Sequence, residues 1–379
     1  MRRDTEGLMR RYLRSIAPLY AVNAAVRSAH TKRRYQRWLD TYRTMPAVDN
    51  RSVPVLPDES LHILFVGTDE YQDRSGAIQA LQRLARVTLF TRADGGYGQN
   101  HPDVEHRAAN NSHRLEQLMD ELAAAGELPQ LLLMQSWSDY MEPSALAAIK
   151  ARYGTVVVNI GMDDRHRWDA IRPLIPALDL ALTAAPECVD WYEKEGCPAL
   201  FFPEASDPEI FHPMPDLPKL YDISFVGGRY GIREKIVQAL RRAGLNVMAY
   251  GHGWEAGRLP LDATPQLFAQ SRIVLGVGTI GHCSDFYALK MRDFDAPMSG
   301  SLYLTHDNPD LAHLFRIGEE IVTYRSVDAC VERARYYLEH EAERERIAAA
   351  GARRAAADHS WYHRFSGLLE VLGHAARSD

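Results

Sequence analysis

The stretch "KMRDFDAPMSGSLYLT" (290–305) places Lys290, Arg292 and Asp295 just ahead of an apolar run that reads as a buried strand. Lysine and arginine donate to anionic oxygens, arginine as a planar fork, and a carboxylate accepts from hydroxyl groups. A helix from Tyr287 to Met298 would put Arg292, Asp295 and Ser299 on adjoining positions of one face. A solvated Arg292–Asp295 pair has the same spacing and would be worth only about 0.3–0.5 kcal/mol. A helix squeezed between two buried strands favours a ligand over such a pair. Two further loops offer related chemistry. "FVGGRYGIR" (225–233) sets Gly228, Arg229 and Arg233 in a glycine turn that opens a helix, where backbone N–H groups and the helix dipole favour an anion. "AYGHGWEAG" (249–257) holds His252 and Trp254 between glycines, and the indole could stack on a base or a sugar face or plug the edge of the sheet.

Each of these loops follows a short apolar segment, so the elements that position them are strands. "LHILFVG" (61–67), "RVTLF" (86–90), "LPQLLLMQ" (128–135) and "TVVVNIG" (155–161) alternate with helical stretches near 75–84, 111–125 and 145–152. "LDLALTAAPECVDWYEKEG" (178–196) adds one more strand and helix. Pro203, Pro208, Pro213, Pro215 and Pro218 then break the rhythm, as a linker does. The alternation restarts with "YDISFVGG" (221–228), a helix over 232–243 and "LNVMAYG" (245–251). It continues through "SRIVLGVG" (271–278), "SLYLT" (301–305) and "EEIVTY" (319–324). Strands alternating with helices mean parallel sheets covered on both faces, here two of them flanking a cleft. Trp361, Phe365, Leu368, Leu369 and Leu372 form the apolar stripe of a last helix.

A chain of 379 residues has room for two such domains. Its net charge of −6 argues against a dedicated nucleic-acid binder. Its four cysteines (Cys188, Cys197, Cys283 and Cys330) form no CxxC pair, which leaves them as core residues. No apolar run approaches the 18 or so residues of a membrane span, and the first residues lack the apolar segment of a secretory signal, so the chain reads as cytoplasmic. The first fifty residues are rich in arginine, and Met9, Leu13, Ile16 and Tyr20 recur at helical spacing despite Pro18. That basic arm could rest on an anionic membrane face or pack as a solvated helix on the body of the protein.

The runs "RDFDAPMSGSLYLT", "LFRIGEEIVTYRSVDACVERARYYL" and "RERIAAAGARRAAADHSWYHR" resemble the C-terminal domain of the CgeB/YkvP-like spore-maturation glycosyltransferases, a branch of the group 1 glycosyltransferases with the GT-B fold. "DISFVGGRYGIR" and "AYGHGW" suit the same pattern, and "GMDDRHRWD" and "FFPEASDPEIFHP" are more weakly similar. The resemblance implies an α/β chain with a basic helical extension (1–58), an acceptor domain (59–205), a proline-rich linker (206–219), a donor domain (220–358) and a C-terminal helix (359–379) that crosses back. It implies a nucleotide-diphosphate sugar as substrate, transfer to a carbohydrate, lipid, protein or small-molecule acceptor, and no cofactor or metal. Gly228, Arg229, Arg233, His252, Trp254, Lys290, Arg292 and Asp295 are then the donor-binding set. Asp295 matches the second acid of the group 1 pattern, which holds the ribose, whereas the first falls on Tyr287. That departure keeps a non-catalytic nucleotide-sugar binder in view, beside a sugar-nucleotide epimerase of the same fold. On the acceptor side the candidates are Asp69 and Glu70 in "GTDE", His101, and Asp163 and Asp164 in "MDDR". Asp69 would serve as general base in an inverting reaction, while a retaining one, the commoner course among group 1 relatives, needs none. Asp163 and Asp164 could equally cap their loop.

Overall fold

The computed structural model describes residues 17–48, 52–57, 60–67, 76–91 and 106–374. Two parallel sheets dominate it. The first contains β1 (His62–Val66), β2 (Arg86–Phe90), β3 (Leu131–Met134), β4 (Val156–Gly161), β5 (Leu180–Thr183) and β6 (Ala199–Phe201), in the order β2-β1-β3-β4-β5-β6. The second contains β7 (Tyr221–Val226), β8 (Val247–Tyr250), β9 (Ser271–Leu275), β10 (Leu302–His306) and β11 (Val322–Tyr324), in the order β11-β10-β9-β7-β8. The orders match: the sheet reverses direction between β1 and β3 in one lobe and between β7 and β9 in the other, and such switch points are where doubly wound sheets take ligands. Strands such as β3, buried along its whole length, are apolar throughout because helices cover both faces.

In the first lobe α2 (Ala77–Leu84), α3 (Arg107–Ala124), α4 (Pro143–Tyr153), α5 (Asp164–Ile171) and α6 (Pro186–Lys194) pack around the sheet. The second has α7 (Arg233–Arg242), α8 (Thr264–Ala269), α9 (Arg292–Met298), α10 (Val327–Glu339) and α11 (Glu341–Asp358). Strand β6 and helices α5 and α8 were not expected from the sequence. Helix α9 is a correction of another kind: it begins at Arg292 rather than near Tyr287, whose segment instead bridges antiparallel to Thr279.

The last helix, α12 (Trp361–Val371), returns to the first lobe. Trp361, Phe365, Leu368, Leu369 and Leu372 join the core formed by Ile63, Phe65, Leu81 and Leu133, and the helix lies against α2. The chain between the lobes is pinned where Ser206 bridges to Ser360 and where the buried Asp207 pairs with Arg83 at 2.9 Å.

The basic arm contributes α1 (Ala17–Thr44), with Pro18 in its first turn, where a missing N–H costs nothing. It packs on the body of the protein. Tyr42 is fully buried, stacked on Trp191 at 5.2 Å and edge-on to Trp168 at 5.6 Å. Arg34 and Arg37 both pair with Asp169, and Lys32 pairs with Asp285 of the second lobe. Met9, Leu13 and Ile16 lie outside the described residues, as does the side chain of Tyr20. No helix among the described residues is long and apolar enough to cross a membrane. All four cysteines are buried and unbridged, as core residues should be.

Candidate functional site

The carboxyl ends of the two sheets meet. Arg165, just past β4, reaches the Tyr287 carbonyl and the Asp310 carboxylate, which follow β9 and β10. Lys290 lies 4.0 Å from Asp163 across the same junction.

On the second lobe's side two guanidiniums converge on the end of β7. Arg292 Nε donates to the Val226 carbonyl at 3.0 Å, and its Nη2 donates to the same oxygen. Arg233, at the first position of α7 and only 4% exposed, donates from Nη1 to the Gly228 carbonyl at 3.2 Å. Both lie over the Phe225 ring, at 4.9 Å for Arg292 and 5.8 Å for Arg233, and Arg233 also covers Tyr230 at 4.0 Å. Arg233 Nε and Arg292 Nη1 are buried without an acceptor, and among the described residues neither cation has a carboxylate within ion-pair distance. Burial, together with the Arg292 charge, pulls Arg233 down to about 10, still charged at neutral pH. Two uncompensated cations at a switch point are costly to the isolated protein and suited to an anion. The backbone permits their approach because Gly227 has no Cβ; one there would come within 2.8 Å of Arg292 Nη2.

Asp295 sits one turn along α9 from Met291 and is almost wholly buried. Burial pushes its carboxyl up to about 7, although the Ser206 side chain and the Arg292 guanidinium pull the other way, and its Oδ1 has no partner. Asp293 has a structural task that sequence reasoning missed: it accepts from the Lys290 N–H at 2.7 Å and the Tyr303 hydroxyl at 2.5 Å, which fixes the start of α9. Glu204, in the chain leaving the first lobe, was also missed. It is buried, its Oε2 has no partner, and burial drives its carboxyl well up against the opposing pull of Lys290. The family-like stretch "FFPEASDPEIFHP" contains it, but nothing in that stretch singles out Glu204 itself.

Other expected donor contacts are engaged elsewhere. Arg229 pairs with Glu234 at 2.5 Å and Glu255 at 3.0 Å, lying over the Trp254 ring. Trp254 is buried, its Nε1 donating to the Gly227 carbonyl at 2.7 Å, so the indole closes the end of the sheet and is not a free stacking platform. His252 is exposed, and its carbonyl accepts from the Arg229 N–H. Gly228 turns the chain between β7 and α7.

On the first lobe's side, Asp163 faces the junction with His166 3.7 Å away, and Lys290, His166 and Arg167 together outweigh burial to hold its carboxyl below the usual range. Burial and the nearby cations Lys290 and Arg167 keep His166 neutral, down to about 4, although Asp163 opposes them. Asp164 is not at the junction surface: it is buried in the lobe, where it accepts from the Tyr192 hydroxyl at 3.1 Å, and burial raises it to about 7. Asp69, Glu70 and His101 lie outside the described residues. Among the described residues no three His, Cys, Asp or Glu side chains are grouped to hold a metal ion.

Two facing lobes with parallel sheets of matching order, closed by a returning C-terminal helix, make this a GT-B fold. Solved structures agree. Sucrose-phosphate synthase from Thermosynechococcus elongatus superposes with a TM-score of 0.58 at 12% identity, over 83% of this chain and 98% of that one. Anabaena Alr3699/HepE in complex with UDP-glucose gives 0.58 at 13% identity, over 83% and 99%. UDP-GlcNAc 2-epimerase from Neisseria meningitidis, bound to UDP-GlcNAc, gives 0.52 at 11% identity, over 82% and 99%. Residues 233–370 match the family model described as glycosyl transferase-like. No curated protein matches the chain in sequence.

Proposed function

We propose that the protein is a glycosyltransferase that takes a sugar from a nucleotide-diphosphate donor. The observation that carries this reading is that the buried Arg233 and the half-buried Arg292 converge on the end of β7 with no carboxylate in ion-pair distance among the described residues. A donor diphosphate laid there would accept from the Arg233 and Arg292 guanidiniums as they turn toward it and neutralise both cations. The leaving nucleoside diphosphate gains charge as the glycosyl bond breaks, and fixed cations in a dry site stabilise it without waiting for solvent to reorganise. We therefore read transfer as metal-independent. Asp295 Oδ1 would accept from a ribose hydroxyl, and Lys290, facing Asp163, would mark the line between donor and acceptor. Support for the class comes from the glycosyl transferase-like match over the second lobe and from relatives of the same fold solved with UDP-sugars. The CgeB/YkvP-like branch remains our reading of its sequence motifs, and a retaining course is our preference because it requires no base from the first lobe.

Isothermal titration with UDP, GDP, dTDP and their sugar conjugates tests the reading. One nucleotide should bind, and Arg233→Ala should weaken it about 10- to 100-fold, the worth of a charged hydrogen bond. No binding by any of them overturns the proposal. Product analysis after incubation separates transfer or slow hydrolysis, which free the nucleoside diphosphate, from epimerisation, which returns an isomeric donor.

A further inference from the structure

Outside the proposed cradle, the most fully bonded side chain at the lobe junction is Arg165, near the start of α5, with a tenth of its side chain exposed. Its Nε and Nη2 donate to the two carboxylate oxygens of Glu187 on α6, at 2.5 and 2.6 Å, within the first lobe. Its Nη1 crosses to the second lobe, donating to the Tyr287 carbonyl at 2.7 Å and to Asp310 Oδ2 at 2.8 Å. One edge of the fork is therefore anchored while the remaining nitrogen spans the junction. Helix α1 lies over this bridge: the Tyr35 hydroxyl donates to Glu187 Oε1 at 3.0 Å, the Tyr35 ring meets Phe286 at 4.7 Å, and Lys32 pairs with Asp285. Residues 285–287 are thus gripped both by the first lobe and by α1, and the chain runs from them straight into Lys290 and Arg292.

We propose that Arg165 is a positioning residue that clasps the two lobes in one relative orientation, with α1 as the strap that fixes Glu187 beneath it. Separating the lobes would strip one buried guanidinium of two acceptors at once and leave the Asp310 carboxylate unpaired, so the unliganded protein rests with its cleft set. Because Tyr287 leads into α9, the same clasp sets where Lys290 and Arg292 stand. Only this last consequence rests on the donor-binding reading above; the clasp itself does not.

Spin labels at Arg114→Cys and Glu332→Cys, both exposed and in different lobes, would report the interlobe distance in the full chain. Without nucleotide the wild-type background should give one narrow distribution. Arg165→Ala should broaden it toward longer distances, and Asp310→Asn, which weakens only the cross-lobe ion pair, should fall between. A narrow distribution unchanged in a folded Arg165→Ala protein overturns the clasp; where that variant does not fold, an unchanged distribution in Asp310→Asn does. Titration with UDP, GDP and dTDP completes the test: Arg165→Ala should weaken the nucleotide that binds wild type about tenfold. Failure of wild type to bind any of them would count against the donor reading, while the distance measurement would still decide the clasp.

Discussion

Both lobes bring arginines to the carboxyl ends of sheets with the same strand order, but the second leaves two of its arginines unmatched. In the first lobe each is matched: Arg107 and Arg167 share Asp139, and Arg165 has Glu187 and Asp310. In the second lobe Glu234 and Glu255 match Arg229, but among the described residues Arg233 and Arg292 have only carbonyls and aromatic faces. A matched buried cation serves the fold, since it satisfies the acids that surround it. An unmatched one is retained at a cost that stability alone does not explain, and at a switch point the group that removes that cost is an anionic ligand.

The sharpest way to break this contrast is to replace one arginine of each kind by an apolar residue of similar length. Arg165→Met should destabilise the protein by about 3–5 kcal/mol, because it strands the buried Asp310 carboxylate and takes two bonds from the half-buried Glu187. Arg233→Met should leave stability level or raise it, since it removes a desolvated charge, and should weaken nucleotide binding about 10- to 100-fold. Urea denaturation of the two variants reads the difference directly. Equal losses in both would show that Arg233 is as structural as Arg165, and the argument for an anion would fall with it.

A second contrast sets Asp163 of the first lobe against Asp295 of the second. Burial raises the Asp295 carboxyl to about 7, above its unfolded value near 3.9, so the native state holds the extra proton between those limits. The contribution of Asp295 to stability is therefore full below about pH 4 and is lost as the pH rises toward 7. For Asp163 the sign reverses: Lys290 and its neighbours hold it low, so its contribution is present above the unfolded value and is lost as the pH falls through the folded one. Asp295→Asn, which mimics the neutral acid, should match wild type near pH 4 and gain on it up to pH 8. Asp163→Asn should fall behind wild type as the pH rises toward about 4 from below, and trail it by a constant amount from there up to pH 8. Asp164 and Glu204 are raised as well, so Asp295→Asn flattens the wild-type decline without removing it. Urea midpoints taken from about pH 3 to 8 would show the two difference curves, and parallel ones would mean that the lobes do not divide the charge as described.

How far the sequence could reach follows from the kind of signal each feature leaves. Apolar strands such as "RVTLF" and "SLYLT" are local patterns, and they fold where their composition places them, as does the closing stripe from Trp361 to Leu372. The convergence of Arg233 and Arg292 was half legible: each stands in a loop that invites an anion, but only the sheet order brings positions 233 and 292 to the same strand end. Arg229 and Trp254 carry the same local signature as Arg233, yet Glu255, a neighbour on the next loop, claims the arginine, and the Gly227 carbonyl claims the indole. Glu204 and Arg165 lie in the family-like stretches "FFPEASDPEIFHP" and "GMDDRHRWD", but nothing local singled them out there, because what makes them notable is burial between segments far apart in the chain. Helix α9 starts late for a local reason. The Asp293 carboxylate ties back to the Lys290 N–H and caps the first turn there, and the Thr279 bridge keeps the chain at Tyr287 extended, so the helix does not reach back past Lys290.

The smallest expected effect lies on the strap itself. Lys32 and Asp285 pair across the lobes as Arg165 and Asp310 do, but both side chains are largely in water, at 40% and 64% exposure. Water screens the attraction, and holding two flexible side chains in one geometry costs entropy, so Lys32→Ala should change stability by only about 0–1 kcal/mol, and less in high salt. It should also leave the interlobe distance distribution narrow, because the grip on residues 285–287 then still rests on Arg165 and on the contact between Tyr35 and Phe286. A broadening as large as that expected for Arg165→Ala would move the clasp from the buried guanidinium to the helix above it. The contrast that matters would then run between α1 and the rest of the chain, and no longer between matched and unmatched arginines.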